Sequence, residues 1–489
     1  ALTGTTLDHT QHLLSALARA NLTHLTTPGH YNQHDLLRDY ACELAAGHEG
    51  PDGSRAALTR LFDHYLHTAG VAMDALFPAE RHRRPAVPAA ASPVPPVTEP
   101  TAAQDWLDTH RATLITVAAH MAEHGWPGHT ARLAATLARY LNRDGYFTEG
   151  VAIHTCACHA ARRTGDRGGE ATALNNLGLA FWSVNRIDEA AAAFERSLAL
   201  FHAAGDRGGA AKAVGNLGLV EQSEGLRDQA ADHYRQAIDL FRETGDRTGE
   251  ARVLSNLGSV TARLGRYGEA AIHQERALNL FRETGERGGE GLALTRFGSL
   301  EQQQGHYQEA AERYREALTL YREYGGRTGE ALALCQLGEI GLMLGRYQQA
   351  VEDFQQALVL YREFGDASTR ARVLNGLGQA SLATGRAGDA RARYDAGLAL
   401  ASEASSTMEQ ARAHNGLGHT HLALGDPGQA RRHWQEALAR YTGLGVPEAD
   451  HVRTQLAGLG RPAQSEQARS EQAQSEQPQS EQAQSEQAE

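Results

Sequence analysis

Apolar and small side chains along this chain fall into stripes that return every 40 residues. Leu174, Leu177, Gly178 and Phe181 lie at i, i+3, i+4 and i+7, one face of an α-helix. Ala190, Phe194, Ser197 and Leu198 form the stripe of a second helix. Between the two sits Asn185, replaced in later units by Gly225, Gly265, Gly305, Gly345, Gly385 and Gly425, the left-handed stop a tight turn wants. Asn176-Leu177-Gly178 returns as Asn216-Leu217-Gly218, Asn256-Leu257-Gly258, Arg296-Phe297-Gly298, Gln336-Leu337-Gly338, Gly376-Leu377-Gly378 and Gly416-Leu417-Gly418, with no insertion. Three further columns keep the same step. One is alanine from Ala190 to Ala430. One is aromatic in most units (Phe194, Tyr234, Gln274, Tyr314, Phe354, Tyr394, Trp434). One is small from Ser197 to Ala437. Small residues at Gly178 and Ala190 let the two helices approach, and the aromatic fills the gap beside them. Second helices end at Gly165, Gly205, Gly245, Gly285, Gly325 and Gly365, and Asp166, Asp206 and Asp246 stand ready to cap the next first helix. The pattern predicts an all-α solenoid of seven to eight helix pairs. Seven units span 166–445, and a degenerate one at 125–165 carries Leu137, Gly145, Phe147 and Glu149 in frame. A pair opening at Trp106-Leu107 caps the array, so that 105–165 holds cap and degenerate repeat together.

The ends are different material. Residues 84–104 hold Pro85, Pro88, Pro93, Pro95, Pro96 and Pro100 among Ala, Ser and Val, and read as a semi-rigid linker. Residues 461–489 repeat Gln-Ser-Glu-Gln-Ala with almost no apolar side chain larger than Ala, so no core forms and a disordered tail is expected. At the front, a helix around His9–Ala20 precedes alternation about Pro28-Gly29, which reads as a hairpin, and Asp35 is placed as the cap of a further helix. Helix, hairpin and helix make a winged-helix-like unit over 1–48, with a connecting helix over 49–83.

Composition narrows the function classes. A net charge of −12 over 489 residues argues against a binder that works by neutralising phosphates, so direct nucleic-acid binding is not expected. No stretch of about 18 apolar residues occurs, and the start has neither a basic nor an apolar signal region. Ala1 reads as a processed or truncated start. Four cysteines are too few for a disulfide scaffold, and a cytoplasmic protein is expected. His154, Cys156, Cys158 and His159 have metal-binding chemistry. On a helix, however, only His154 and Cys158 share a face, and that face is core; no metal site is expected. The recurring Gly-Asp-Arg triplets read as turn and cap chemistry. No nucleophile–base pair or paired carboxylate stands out, so neither catalysis nor a cofactor is expected.

The columns Leu-Gly-x-x-aromatic, Ala, Phe/Tyr and Ala resemble the tetratricopeptide repeat (TPR) family. The usual period there is about 34 residues. The longer one here is similar to the arrays of spindle-orientation adaptors that hold extended peptides. In that family the face next to the buried Leu lines an inner groove. The resemblance therefore implies a groove built from Asn176, Asn216, Asn256, Arg296 and Gln336, with Lys212, Arg252, Arg372 and Arg412 one turn earlier. An Asn amide donates and accepts at once, so it can pair with a peptide bond without reading sequence. The expected partner is a protein or peptide segment, with a second copy of the chain as a further candidate.

Tyr31-Asn-Gln-His34-Asp35 through Ala41 resembles the end of the NB-ARC module of STAND signalling ATPases, where Met-His-Asp closes the winged-helix subdomain; here the triplet is Gln33, His34 and Asp35. RLFDHYLHTA and Trp106-Leu107-Asp108 are similar to the segment joining NB-ARC to TPR repeats in actinobacterial regulators of antibiotic pathways. The resemblance implies that His34 would contact the β-phosphate of ADP in an intact protein. No phosphate-binding G-x-x-x-x-G-K-[ST] loop is present, and the only lysine, Lys212, lies in a repeat. No ATP hydrolysis is expected. The sensor and effector part of a STAND-type regulator is the reading this implies. A receptor for a small signalling peptide and a nucleotide-dependent switch are the alternatives.

Overall fold

The computed structural model describes residues 1–459 apart from 28–29, 79–80, 82–83 and 365–366; the tail reading of 461–489 lies outside the described residues. Helices fall where the columns place them. The order is α1 (Leu7–Arg19), β1 (His24–Thr27), β2 (His30–Asn32), α2 (Asp35–Leu76), α3 (Pro100–His124), α4 (Pro127–Arg143) and α5 (Phe147–Thr164). The repeat helices follow in pairs: α6 (Arg167–Ser183) with α7 (Ile187–Ala204), α8 (Arg207–Glu224) with α9 (Arg227–Thr244), and α10 (Arg247–Arg263) with α11 (Tyr267–Thr284). Then come α12 (Arg287–Gln303) with α13 (Tyr307–Tyr324), α14 (Arg327–Met343) with α15 (Tyr347–Phe364), α16 (Ala367–Ala383) with α17 (Ala387–Glu403), α18 (Thr407–Ala423) with α19 (Pro427–Leu444), and a final α20 (Glu448–Gly458). The helices form two compact units, residues 1–333 and residues 334 onward.

Local chemistry explains each boundary. Asn185 (φ 61°) and its glycine counterparts, such as Gly265 (φ 77°), adopt the left-handed conformation that ends a first helix. Asp166, Asp206 and Asp246 cap the following helices, each accepting from the glycine N–H three residues on, at 2.9, 2.8 and 2.8 Å. Glu286 takes the same role for Gly289. A second column links neighbouring units. Arg162, Arg242 and Arg282 at the ends of second helices pair with the buried carboxylates of Glu170, Glu250 and Glu290 at 2.7, 2.7 and 3.0 Å.

In the first compact unit the first helices α6, α8, α10 and α12 touch one another in succession, while α7, α9 and α11 make no comparable approach. Helices that approach more closely on one side curve the stack toward that side. The curve also brings α4 onto later units. Arg139 Nη2 lies 3.7 Å from Glu286 Oε1, and Thr328 Oγ1 donates to the Arg143 carbonyl at 3.1 Å.

Three features differ from the expectations. The cap of α2 is His34, whose Nδ1 accepts from the Leu36 N–H at 3.4 Å; Asp35 is the first helical residue and pairs with Arg38 at 3.0 Å. The 84–104 segment does not behave as a spacer. Val97 is buried, Ser92 Oγ meets His64 Nδ1 at 2.9 Å, and α3 already begins at Pro100, the first helical position a proline tolerates. Helix α20 follows the repeats and buries Ala449 and Val452 against Trp434 and Tyr441. The hairpin pairs His24 with Asn32 and Leu25 with Tyr31. Helix α2 breaks at Gly50 (φ 65°), just before Pro51.

Candidate binding groove

The first helices present one face with a fixed rhythm. Positions 174 and 177 and their copies to 257 point into the core, with Leu217 less completely covered than Leu177 and Leu257. The polar positions between them are only partly covered. Asn176, Asn216, Asn256, Arg296 and Gln336 are all half-buried, and Lys212 one turn earlier is exposed. Because α6, α8, α10 and α12 stand on the tightly packed side, Asn176, Asn216, Asn256 and Arg296 follow the inner wall of the first compact unit, while Gln336 belongs to the second.

Structure brings some of these residues into contact with one another. Asn216 Nδ2 donates to Asn175 Oδ1 at 2.9 Å, from one first helix to the one before. Arg296 Nη1 donates to Asn256 Oδ1 at 2.5 Å and to Ser255 Oγ at 3.1 Å. Burial pulls the Arg296 guanidinium below its usual pKa. Arg252 faces the buried carboxylate of Glu286 at 3.9 Å. In the second compact unit, Arg412 pairs with Glu409 at 2.8 Å and Arg372 lies 4.0 Å from Glu339. Burial pushes the Glu339 carboxyl up, against the pull of Arg372. The groove cations are thus mostly answered by the chain's own acids.

The column at 175, 255 and 295 was missed in the sequence. In it Asn175 accepts from Asn216 and Ser255 accepts from Arg296, and its signal was present as a run of small polar residues beside the Asn column. Tyr321 was missed too. It replaces the Phe201, Phe241 and Phe281 of earlier units and sets its hydroxyl 3.3 Å from Thr295 Oγ1, with its pKa pushed up to about 12 by burial.

The other candidate residues sit apart. His154 is buried in the aromatic column and held near pKa 4 by burial, and Cys158, four residues on, is buried while His159 is exposed. Among the described residues, no three His, Cys, Asp or Glu side chains converge as a metal would need. His34 and Asp35 are exposed at the start of α2. Leu7, Leu13 and Leu17 of α1, Leu25 of β1 and Leu36 and Tyr40 of α2 are exposed as well, and α1 buries no residue. No helix among the described residues is long and apolar enough to cross a membrane.

Family models described as tetratricopeptide repeat match residues 171–203 and, in overlapping windows, 209–443, together more than half of the chain. The regulatory protein AfsR of Streptomyces griseus is 32% identical over 191 residues, 38% of this chain and 19% of that protein. AfsR of Streptomyces coelicolor is 37% identical over 110 residues, 22% of this chain and 11% of that one. The chain therefore spans a fifth or less of these relatives. A STAND signal-transduction ATPase with a tetratricopeptide repeat sensor, from Pyrococcus horikoshii, superposes with a TM-score of 0.56 at 13% identity, over 91% of this chain and 60% of that one. At that identity the likeness concerns the fold alone.

Proposed function

The chain belongs to the tetratricopeptide repeat family, and from that premise we propose that it is a non-catalytic binding scaffold whose inner wall holds an extended protein or peptide segment. The observation that carries this is the unbroken inner column of half-buried Asn176, Asn216 and Asn256, set one unit apart on adjoining first helices. An amide at each step can accept from and donate to a peptide backbone, and the repeat gives the contact its register. With the AfsR relationship, the scaffold is read as the sensor and effector part of a cytoplasmic STAND-type regulator. The exposed leucines of α1, β1 and α2 would then seat an adjoining nucleotide-binding domain, with His34 turned to its ADP.

Selection of displayed random dodecapeptides on the chain tests the groove. Enrichment is expected with the natural sequence and is expected to vanish with Asn176→Ala, Asn216→Ala and Asn256→Ala combined, at unchanged helicity by circular dichroism. Equal enrichment on the triple variant would defeat the reading.

A further inference from the structure

We propose that the cavity between the end of α2, the proline-rich segment and α4 is a binding site for a small monocarboxylate with an apolar body. The cavity holds about 650 Å³, a volume ordinary for a small-molecule site. It lies in the first compact unit and shares no residue with the groove, so it stands whether or not the groove reading holds. The proline-rich segment forms one of its walls. A Cβ on Gly70 of α2 would stand 3.5 Å from Val87 Cγ2, so the segment already lies at contact distance there. Ser92 and Val97 fasten it further along.

Two polar side chains of the wall have unused donors. Arg84 is only 9% exposed, and its Nη2 donates to Asp74 Oδ1 at 2.5 Å and to the Phe77 carbonyl at 3.1 Å. Its Nε and Nη1 have no hydrogen-bond partner among the described residues. Thr136 of α4 is buried, and its Oγ1 has no partner either. A helical threonine ordinarily gives its hydroxyl to the carbonyl four residues back, as Thr59, Thr68 and Thr116 do here. Burial has already stripped these donors of water, so a carboxylate that reaches them gains the bonds without displacing any. The charge of the wall fits the same ligand. Asp74 answers both Arg84 and Arg81, whose Nε lies 2.9 Å from Oδ2, so two cations share one carboxylate and one positive charge is left over. One spare charge matches a monoanion, and Val71, Pro78, Pro85 and Val87 match a hydrocarbon body rather than a phosphate or a sugar. Thr136 stands three residues before Arg139, which faces Glu286 at 3.7 Å, so a ligand here would tie the end of α2 through α4 to the repeats.

The test uses the full chain with benzoate, phenylacetate and 4-phenylbutanoate, each beside its primary amide, measured by ligand-observed NMR and calorimetry. At least one acid should bind at a single site, and its amide should bind at least about tenfold more weakly for want of the charged pair. Thr136→Val should weaken the acid by about the same factor while melting at or above the temperature of the natural chain, because it removes a buried hydroxyl that has no protein partner. Arg84→Met should abolish binding, and Arg84→Lys should retain part of it. Should Arg84→Met melt lower than the natural chain, Thr136→Val decides. Bound acid should slow hydrogen exchange in the last turns of α2 and in α4 and leave α6–α12 unchanged, which separates this site from the groove cations. No bound acid, acid and amide bound alike, binding that survives both Thr136→Val and Arg84→Met, or protection confined to α6–α12 overturns the site. Inorganic phosphate that binds as tightly as the best acid also overturns it, since the cavity would then recognise an ion only. Each of these results leaves the groove reading untouched.

Discussion

At the level of single residues, the small columns exist because of the rings opposite them. A Cβ on Gly178 would stand 2.6 Å from Phe194 Cε1, and one on Gly218 would stand 2.7 Å from Tyr234 Cε1. Those distances forbid a methyl group without moving the ring, so glycine and aromatic are two halves of one packing decision, and both were readable as columns. His154 occupies the aromatic column one unit earlier, and its cost was not readable. Burial holds the imidazole near pKa 4, against 6.5 for the free side chain, and its Nδ1 finds no hydrogen-bond partner. Because the folded-state pKa is the lower one, the unfolded chain takes up a proton here between about pH 6.5 and about pH 4 while the folded chain does not. Stability from this site is complete above that window and is lost as pH falls through it. His154→Phe, which restores the ring of the column, should narrow the gap between melting temperatures at pH 7 and pH 5. The gap will not close, since burial also holds His414 near pKa 4. An unchanged gap would mean that His154 is hydrated in the folded state.

At the level of elements, the pair α8–α9 is complete in itself: the capping Asp206, the left-handed Gly225 and the Tyr234 ring interlocked with Gly218. Removing residues 207–246 takes out α8 and α9 and rejoins equivalent positions. That variant should keep its helicity per residue and melt cooperatively. Removing 207–226 instead sets one second helix directly after another and should leave the neighbouring units partly unfolded. Circular dichroism and limited proteolysis distinguish the two outcomes, and equal disruption by both would show that the period is not the folding unit. Helix positions were legible for the same reason, since period and turn residues repeat without a break. What lay outside the period was read less well. The proline-rich stretch looked like a spacer because composition does not reveal that Val97 and Ser92 dock on α2 and its neighbours. Helix α20 has no counterpart in the repeat and is held by the aromatics it covers, Trp434 and Tyr441. The α2 start was displaced by one residue because a His can cap as well as an Asp when its Nδ1 is the acceptor.

At the scale of the whole molecule, the first compact unit makes contacts that no local pattern announces. Residues 139 and 286 are far apart in sequence, and they meet only because curvature accumulates over several units. In retrospect the sequence marks the place. The capping position is Asp at 166, 206 and 246 but Glu at 286, and the next turn reads Tyr324-Gly325-Gly326 instead of Thr-Gly-Asp. The extra methylene lets Glu286 cap Gly289 and still lie between Arg139, at 3.7 Å, and Arg252, at 3.9 Å. One carboxylate thereby joins α4 of the degenerate repeat to a groove arginine, so the spacing of the groove and the seating of α4 are set by the same charge. Glu286→Asp separates the two roles: it keeps a cap of the kind used by the earlier units and gives up the reach to Arg139. Hydrogen exchange should rise in α4 and around residues 324–328 while α16–α19 keep their rates. Arg139→Gln should reproduce the effect on α4, and Asp206→Glu, which changes the cap of an earlier unit, should not. If exchange in α4 is unmoved by Glu286→Asp, the contact between α4 and the later units carries no energy, and curvature alone holds that end of the array in place.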